Sequence, residues 1–79
     1  MIKGGKQKRN EQAIAVLASN IKKYRLQKKL TIEELANMIG VDYSQISRME
    51  RGVVNSNISI IFEVAEALEI HPGRLLEAD

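Results

Sequence analysis

Between positions 43 and 48, five of six side chains carry hydrogen-bonding groups: Tyr43, Ser44, Gln45, Ser47 and Arg48. Such a run suits recognition rather than catalysis. A planar amide such as Gln45 can pair with adenine through two bonds and a guanidinium such as Arg48 with guanine. Tyr43 can lay its ring against a thymine methyl or give its hydroxyl to a phosphate. The parts for catalysis are missing. With no Cys and a single His, His71, the chain offers no thiolate zinc site, no disulfide and no multi-histidine site. No paired-carboxylate arrangement points into a pocket, so the sequence predicts no enzyme, no metal and no cofactor.

The elements that position these residues follow from length and charge. At 79 residues and 44% hydrophobic, the chain is one small domain with room for one core, which self-association would help to stabilise. Residues 1 to 30 hold nine Lys or Arg against Glu11 alone, whereas the stretch from 58 to 79 holds five acids against Arg74. A basic pole of this size attracts a polyanion. Nucleic acid is the commonest such partner, and an acidic membrane surface is the competitor. The basic N-terminus lacks the apolar run of a secretory signal, and no segment reaches 18 consecutive apolar residues, so a soluble cytoplasmic protein is expected.

Residues 1 to 9 read as a flexible basic arm, and residues 10 to 79 as the folded domain. From Asn10, a cap, the spacing of Ile14, Leu17, Ala18, Ile21 and Tyr24 predicts an amphipathic helix over 11 to 28. Thr31 followed by Glu34 is a capping box opening a second helix over 32 to 39, ended by Gly40. Asp42 with Gln45 is a further cap signature for a third helix from 43 to 51, ended by Gly52. In that helix only Ile46 and Met49 face a core. Asn57 caps a fourth helix to about Glu69, with Ile58, Ile61, Val64, Ala65 and Leu68 inward. His71 before Pro72 caps a short fifth. The second helix, its tight turn and the short polar third helix make a helix-turn-helix unit over about 31 to 51, with the third helix sized for a major groove.

The stretches Leu30-Thr31-Ile32-Glu33-Glu34-Leu35-Ala36, Gly40-Val41, Ile46-Ser47, Glu50-Arg51-Gly52 and Ala65-Glu66-Ala67-Leu68 resemble the phage Cro and repressor (XRE-like) type of helix-turn-helix domain over residues 14 to 77. The resemblance implies an all-α, compact five-helix lambda-repressor-like fold that binds double-stranded DNA, usually as a homodimer on a pseudo-palindromic operator. It assigns base reading to Tyr43, Ser44, Gln45, Ser47 and Arg48. It pairs Arg25 with Glu50 as a structural ion pair, and with Thr31 it raises phosphate contact for some of Lys22, Lys23, Lys28 and Lys29, Lys22 first. Arg51, Asn55 and Asn57, following the third helix, are phosphate candidates that hold the duplex in register. One position departs from the family pattern: many members carry Gln where this chain has Ile32, which argues against a base contact from the second helix.

Near the C-terminus, Ile60 and Phe62 fall off the narrow core stripe, and Ile70, Leu75 and Leu76 crowd beside them, which points to a dimer seam. The format is similar to small stand-alone controller proteins of restriction and modification systems, phage repressors and antitoxins. The expected function is an autoregulatory transcription regulator with no ligand sensor of its own, and RNA polymerase is a further partner if it activates, through acids such as Glu63 and Glu66. The alternative is a helical protein-interaction module, such as an antitoxin component with secondary DNA binding.

Overall fold

The computed structural model describes residues 8–78. Residues 1–7, most of the expected basic arm, lie outside the described residues, as does Asp79. Four α-helices and a closing 3-10 turn make up the described chain: α1 (Glu11–Gln27), α2 (Ile32–Ile39), α3 (Tyr43–Glu50), α4 (Ile58–Ala67) and the turn Pro72–Leu76.

Each helix starts where a side chain or carbonyl can satisfy the free backbone donors. The Asn10 side chain accepts from Ala13 N–H at 2.9 Å, and that of Asn57 accepts from Ile60 N–H at 2.9 Å. Thr31 and Glu34 form the full capping box, with Glu34 N–H donating to Thr31 Oγ1 at 3.0 Å and Thr31 N–H to Glu34 Oε1 at 2.8 Å. His71 Nδ1 accepts from Gly73 N–H at 3.0 Å. Asp42 departs from expectation. Its carboxylate caps nothing, because Gln45 N–H is already satisfied by the Asp42 carbonyl at 3.0 Å.

All four α-helices end in the same way, with a left-handed residue that sends the next N–H back to a carbonyl five residues earlier. At α2 and α3 the left-handed residue is glycine, Gly40 with φ of 75° and Gly52 with φ of 70°. At α1 and α4 it is Lys29 with φ of 58° and Glu69 with φ of 60°. Leu30 N–H then donates to Arg25 O, and Ile70 N–H to Ala65 O. For this reason α4 stops at Ala67 rather than at Glu69. Lys28 and Glu69 form an ion pair that joins the C-terminal ends of α1 and α4. Its hydrogen bond and charge hold the Glu69 carboxyl below its ordinary range.

The core lies between α1, α2, α3 and α4 and is closed by the 3-10 turn. Ile21, Leu35, Ile46, Val64, Leu68 and Leu75 are its most enclosed side chains. Two expectations for α4 are corrected here. Ile58, expected inward, is 59% exposed, and Ile60, expected off the stripe, is 7% exposed. The inward set is Ile60, Ile61, Val64, Ala65 and Leu68, a stripe wide enough to meet α2 on one side and the 3-10 turn on the other. Leu75 is likewise a core residue at 0% exposure, not a surface one. Behind it, the buried Asn20 side chain donates to the carbonyls of Leu75 at 3.0 Å and Glu77 at 2.8 Å, fixing the C-terminal segment to α1.

The two kinds of helix end give opposite expectations for substitution. A Cβ at Gly40 would meet nothing within 4 Å, so Gly40→Ala costs only its backbone strain, about 1 kcal/mol. Lys29→Gly relieves the same strain and should gain about 0.5 kcal/mol after the added chain entropy of glycine. Urea unfolding with unchanged slope checks both. A destabilised Lys29→Gly would show that the lysine side chain holds the turn.

Candidate nucleic-acid interface

With only eight residues, α3 is too short to hold a helix unaided, so its position is set by what it packs against. Its inward side is Ile46, fully buried, and Met49, 2% exposed, both in the common core. Ala36 of α2, also buried, lets α3 approach α2 closely, and Val41 after the Gly40 turn returns inward to start the next element. The outward side carries Tyr43, Ser44 and Arg48 exposed, with Gln45 and Ser47 half-buried at its edges. The five residues expected to read bases therefore share one presented surface.

The far end of α3 is fixed by charge. Arg25 of α1 grips the Glu50 carboxylate with two bonds, Nε at 2.6 Å and Nη2 at 2.9 Å, while Nη1 donates to the Leu30 carbonyl at 2.7 Å. Both side chains are less than a tenth exposed. One guanidinium thereby joins α1, the end of α3 and the connection leading into α2. The hydrogen bonds to Glu50 push the Arg25 guanidinium above its ordinary range, against the opposing effect of burial. A carboxylate at the C-terminal end of a helix opposes the helix dipole, so its placement there depends on this fork.

Around α3 the phosphate candidates fall into separate groups. Lys22 is exposed on the stripe of α1 that also carries Ala18 and Arg25, the residues facing Gly52 and Glu50. Thr31 shares an open groove of about 570 Å3 with Arg25, Lys29, Ile32, Glu33 and Tyr43. Asn55 lines a different groove with Lys8, Asn10, Ser56 and Leu76. The side-chain oxygens of Thr31 and Asn57 accept capping bonds, which leaves a hydroxyl proton and an amide NH2 free to donate. Ile32 is half-buried and packs against the core.

Other cations are engaged elsewhere: Lys28 with Glu69, and Lys23 over the Tyr24 ring at 5.0 Å. Sequence spacing did not reveal that Lys29 joins Thr31 and Tyr43 in one groove, since that depends on its left-handed backbone. Nor did it place Lys8 beside Asn55, which are far apart in the chain. Of the residues expected at a dimer seam, Phe62 and Leu76 are 54% and 53% exposed and Ile70 is half-buried. Ile60 and Leu75 lie inside the monomer and have no surface to offer. Among the described residues no group of three or more metal-ligating side chains assembles, and no helix is long and apolar enough to cross a membrane.

Comparison with known proteins fits this geometry. The helix-turn-helix (HTH_3) family model matches residues 21–75. No curated protein matches. Among solved structures, a hypothetical transcription factor from Neisseria aligns at a TM-score of 0.81 and 36% identity, over 91% of this chain and 84% of that one. The restriction-modification controller protein C.AhdI from Aeromonas hydrophila aligns at 0.76 and 32%, over 78% and 94%. A tetramer of the controller protein C.Esp1396I, solved with its natural 35 base-pair operator, aligns at 0.71 and 27%, over 82% and 96%.

The Arg25–Glu50 fork makes a stability prediction. Glu50→Ala leaves a buried guanidinium unpaired and should cost about 3 kcal/mol, whereas the double variant Arg25→Met, Glu50→Met should cost less. Chemical denaturation of both checks this. A loss well under about 1 kcal/mol for Glu50→Ala would mean the pair is solvated and does not fix α3.

Proposed function

The chain belongs to the HTH_3 helix-turn-helix family, and from that premise we propose that it is a sequence-specific DNA-binding transcription regulator acting as a homodimer. One observation carries the reading: α3 buries Ile46 and Met49 while presenting Tyr43, Ser44, Gln45, Ser47 and Arg48 outward on a braced helix. A helix divided in this way fits a major groove, with base edges met by donors and acceptors and the rear face held by the fold. Lys22, Thr31, Arg51, Asn55 and Asn57 hold the flanking phosphates and set register without reading sequence.

The dimer is built on Phe62, Leu76 and the edge of Ile70, exposed apolar groups next to the 3-10 turn. Two copies related by a two-fold axis would set their third helices about 34 Å apart, one turn of DNA. Occupancy then follows protein concentration and dimerisation, the arrangement expected of an autoregulator. Likeness to two restriction-modification controller proteins supports that role. Cytoplasmic location accompanies it. Activation requires a contact with RNA polymerase, for which Glu63 and Glu66 are exposed acids.

Fluorescence anisotropy with the DNA immediately upstream of its own gene, excess random competitor and two salt concentrations tests the reading. Competitor-resistant binding at two proteins per site, falling steeply with salt, is expected. Equal loss to random DNA would contradict sequence-specific autoregulation. Arg48→Ala and Gln45→Ala should each lose about 1–3 kcal/mol and relax specificity, while Arg51→Ala should weaken all sequences alike. Phe62→Asp with Leu76→Asp should sediment as a folded monomer. An unchanged dimer would place the seam elsewhere.

A further inference from the structure

Two features on different helices carry complementary patterns. On α1, Leu26 is 54% exposed, with Lys22 one turn earlier on the same side and Lys29 beside it along the open groove that also holds Thr31 and Tyr43. This is a ridge of one apolar side chain between two cations. Between α2 and α4, Met38 is 55% exposed beside half-buried Ile39 and Ala67, and Glu63 and Glu66 complete a groove of about 400 Å3. This is an apolar floor beside two anions. Lys22, Lys29, Glu63 and Glu66 are all exposed, and none makes an ion pair or side-chain hydrogen bond among the described residues.

The chain therefore carries the complement of its own groove. Within one copy the two do not meet, since no residue of the ridge lines the groove. Between two copies, the Leu26 side chain packs against a flexible, polarisable thioether that moulds to it. The flanking lysines reach Glu63 and Glu66, whose like charges three residues apart on one helix repel until cations arrive. Two identical ridges repel each other, as do two identical grooves, so the charges select ridge into groove over either like pairing. Glu63 and Glu66 form the wall between this groove and the pocket of Phe62, Ile70 and Pro72. A copy seated on the Met38 side of that wall leaves Phe62 and Ile70 to the proposed dimer seam.

We propose that the Leu26 ridge of one copy docks in the α2–α4 groove of a second copy, and that this contact withholds the DNA surface. The second copy's carboxylates lie on Lys22 and Lys29, where the phosphates of a duplex would lie, and its bulk covers the groove of Thr31 and Tyr43 that Leu26 borders. Carboxylate and phosphate then compete for the same cations. One apolar anchor with a few exposed charge pairs is a small contact, so it builds up with protein concentration at low salt and is released as salt screens it. The withholding rests on the proposed DNA reading; the contact itself does not.

With no native Cys, the chain takes a single nitroxide at Gln27→Cys, an exposed position next to the ridge. Full-length protein carrying this spin label, mixed at low salt with an isotope-labelled copy, shows by NMR line broadening which surface of the second copy meets the ridge. Signals of Met38, Glu63, Glu66 and Ala67 should broaden, and moderate salt should restore them. Leu26→Asp in the spin-labelled copy, or Glu63→Lys with Glu66→Lys in the isotope-labelled one, should weaken the broadening about fivefold, each variant being confirmed as folded by its helical circular dichroism. An unbroadened groove would overturn the contact. So would broadening that survives both variants, which would mean that the Phe62 seam alone brings the label near. Addition of a duplex that the protein binds should remove the broadening, and broadening that persists on the duplex-bound protein would overturn the withholding. The mixing arms contain no DNA, so their failure leaves the DNA-binding reading standing.

Discussion

The orientation of α3 depends on one guanidinium. Arg25 sends two bonds to Glu50 and a third to the Leu30 carbonyl, so the last turns of α1 and α3 and the entry to α2 share a fixed point. The apolar contacts of Ile46 and Met49 hold α3 down but are non-directional, and they would tolerate rotation about its axis. A planar fork on a carboxylate does not. The pair is costly to desolvate, and apolar replacements could be equally stable. What it contributes is orientation, and orientation is what a reading helix needs.

From that fixed point the surface divides by charge. Lys22 is exposed on the stripe of α1 whose Ala18 and Arg25 meet Gly52 and Glu50, while the exposed acids Glu63 and Glu66 stand on α4, on a side shared with Met38. Such a distribution steers a polyanion toward α3 and away from the α4 side, although the net charge of +2 alone would suggest little. In so small a domain the surfaces adjoin: Leu76 lines the groove that holds Asn55, and Phe62 shares a pocket with Glu63 and Glu66.

Much of the fold was legible because local chemistry and global packing agree. The capping box of Thr31 and Glu34, the glycine at position 40, and the caps at Asn10, Asn57 and His71 are signals that act over three or four residues, and each stands as the spacing suggested. The split character of α3 was equally plain, since only two of its eight residues are apolar and core-facing. The failures have a shared cause: the deciding partner is remote or the residue type is misleading. Lys29 and Glu69 end helices in a conformation that sequence reasoning grants to glycine, held there by backbone bonds to Arg25 and Ala65. Ile58 and Ile60 are the same residue type two positions apart, so periodicity alone could not decide which faces in; the 3-10 turn and α2 decide it. Leu75 has two readings in the sequence, folded back onto the core or exposed at a dimer seam, and the choice rests on Asn20, 55 positions earlier, which holds the C-terminal carbonyls on α1. Asp42 had the residue type of a cap, but a backbone carbonyl had already met the donor it would have served.

The claim on which the account turns is that the outward side of α3 is what touches DNA. Amide chemical-shift mapping of the labelled protein, with a duplex that it has itself selected from a randomised pool, measures this most directly. The account predicts that the largest shifts fall on residues 43 to 51, with smaller ones at Lys22, Thr31 and residues 55 to 57, while Glu63 to Ala67 stay in place. Large shifts on the α4 side with α3 unmoved would contradict it.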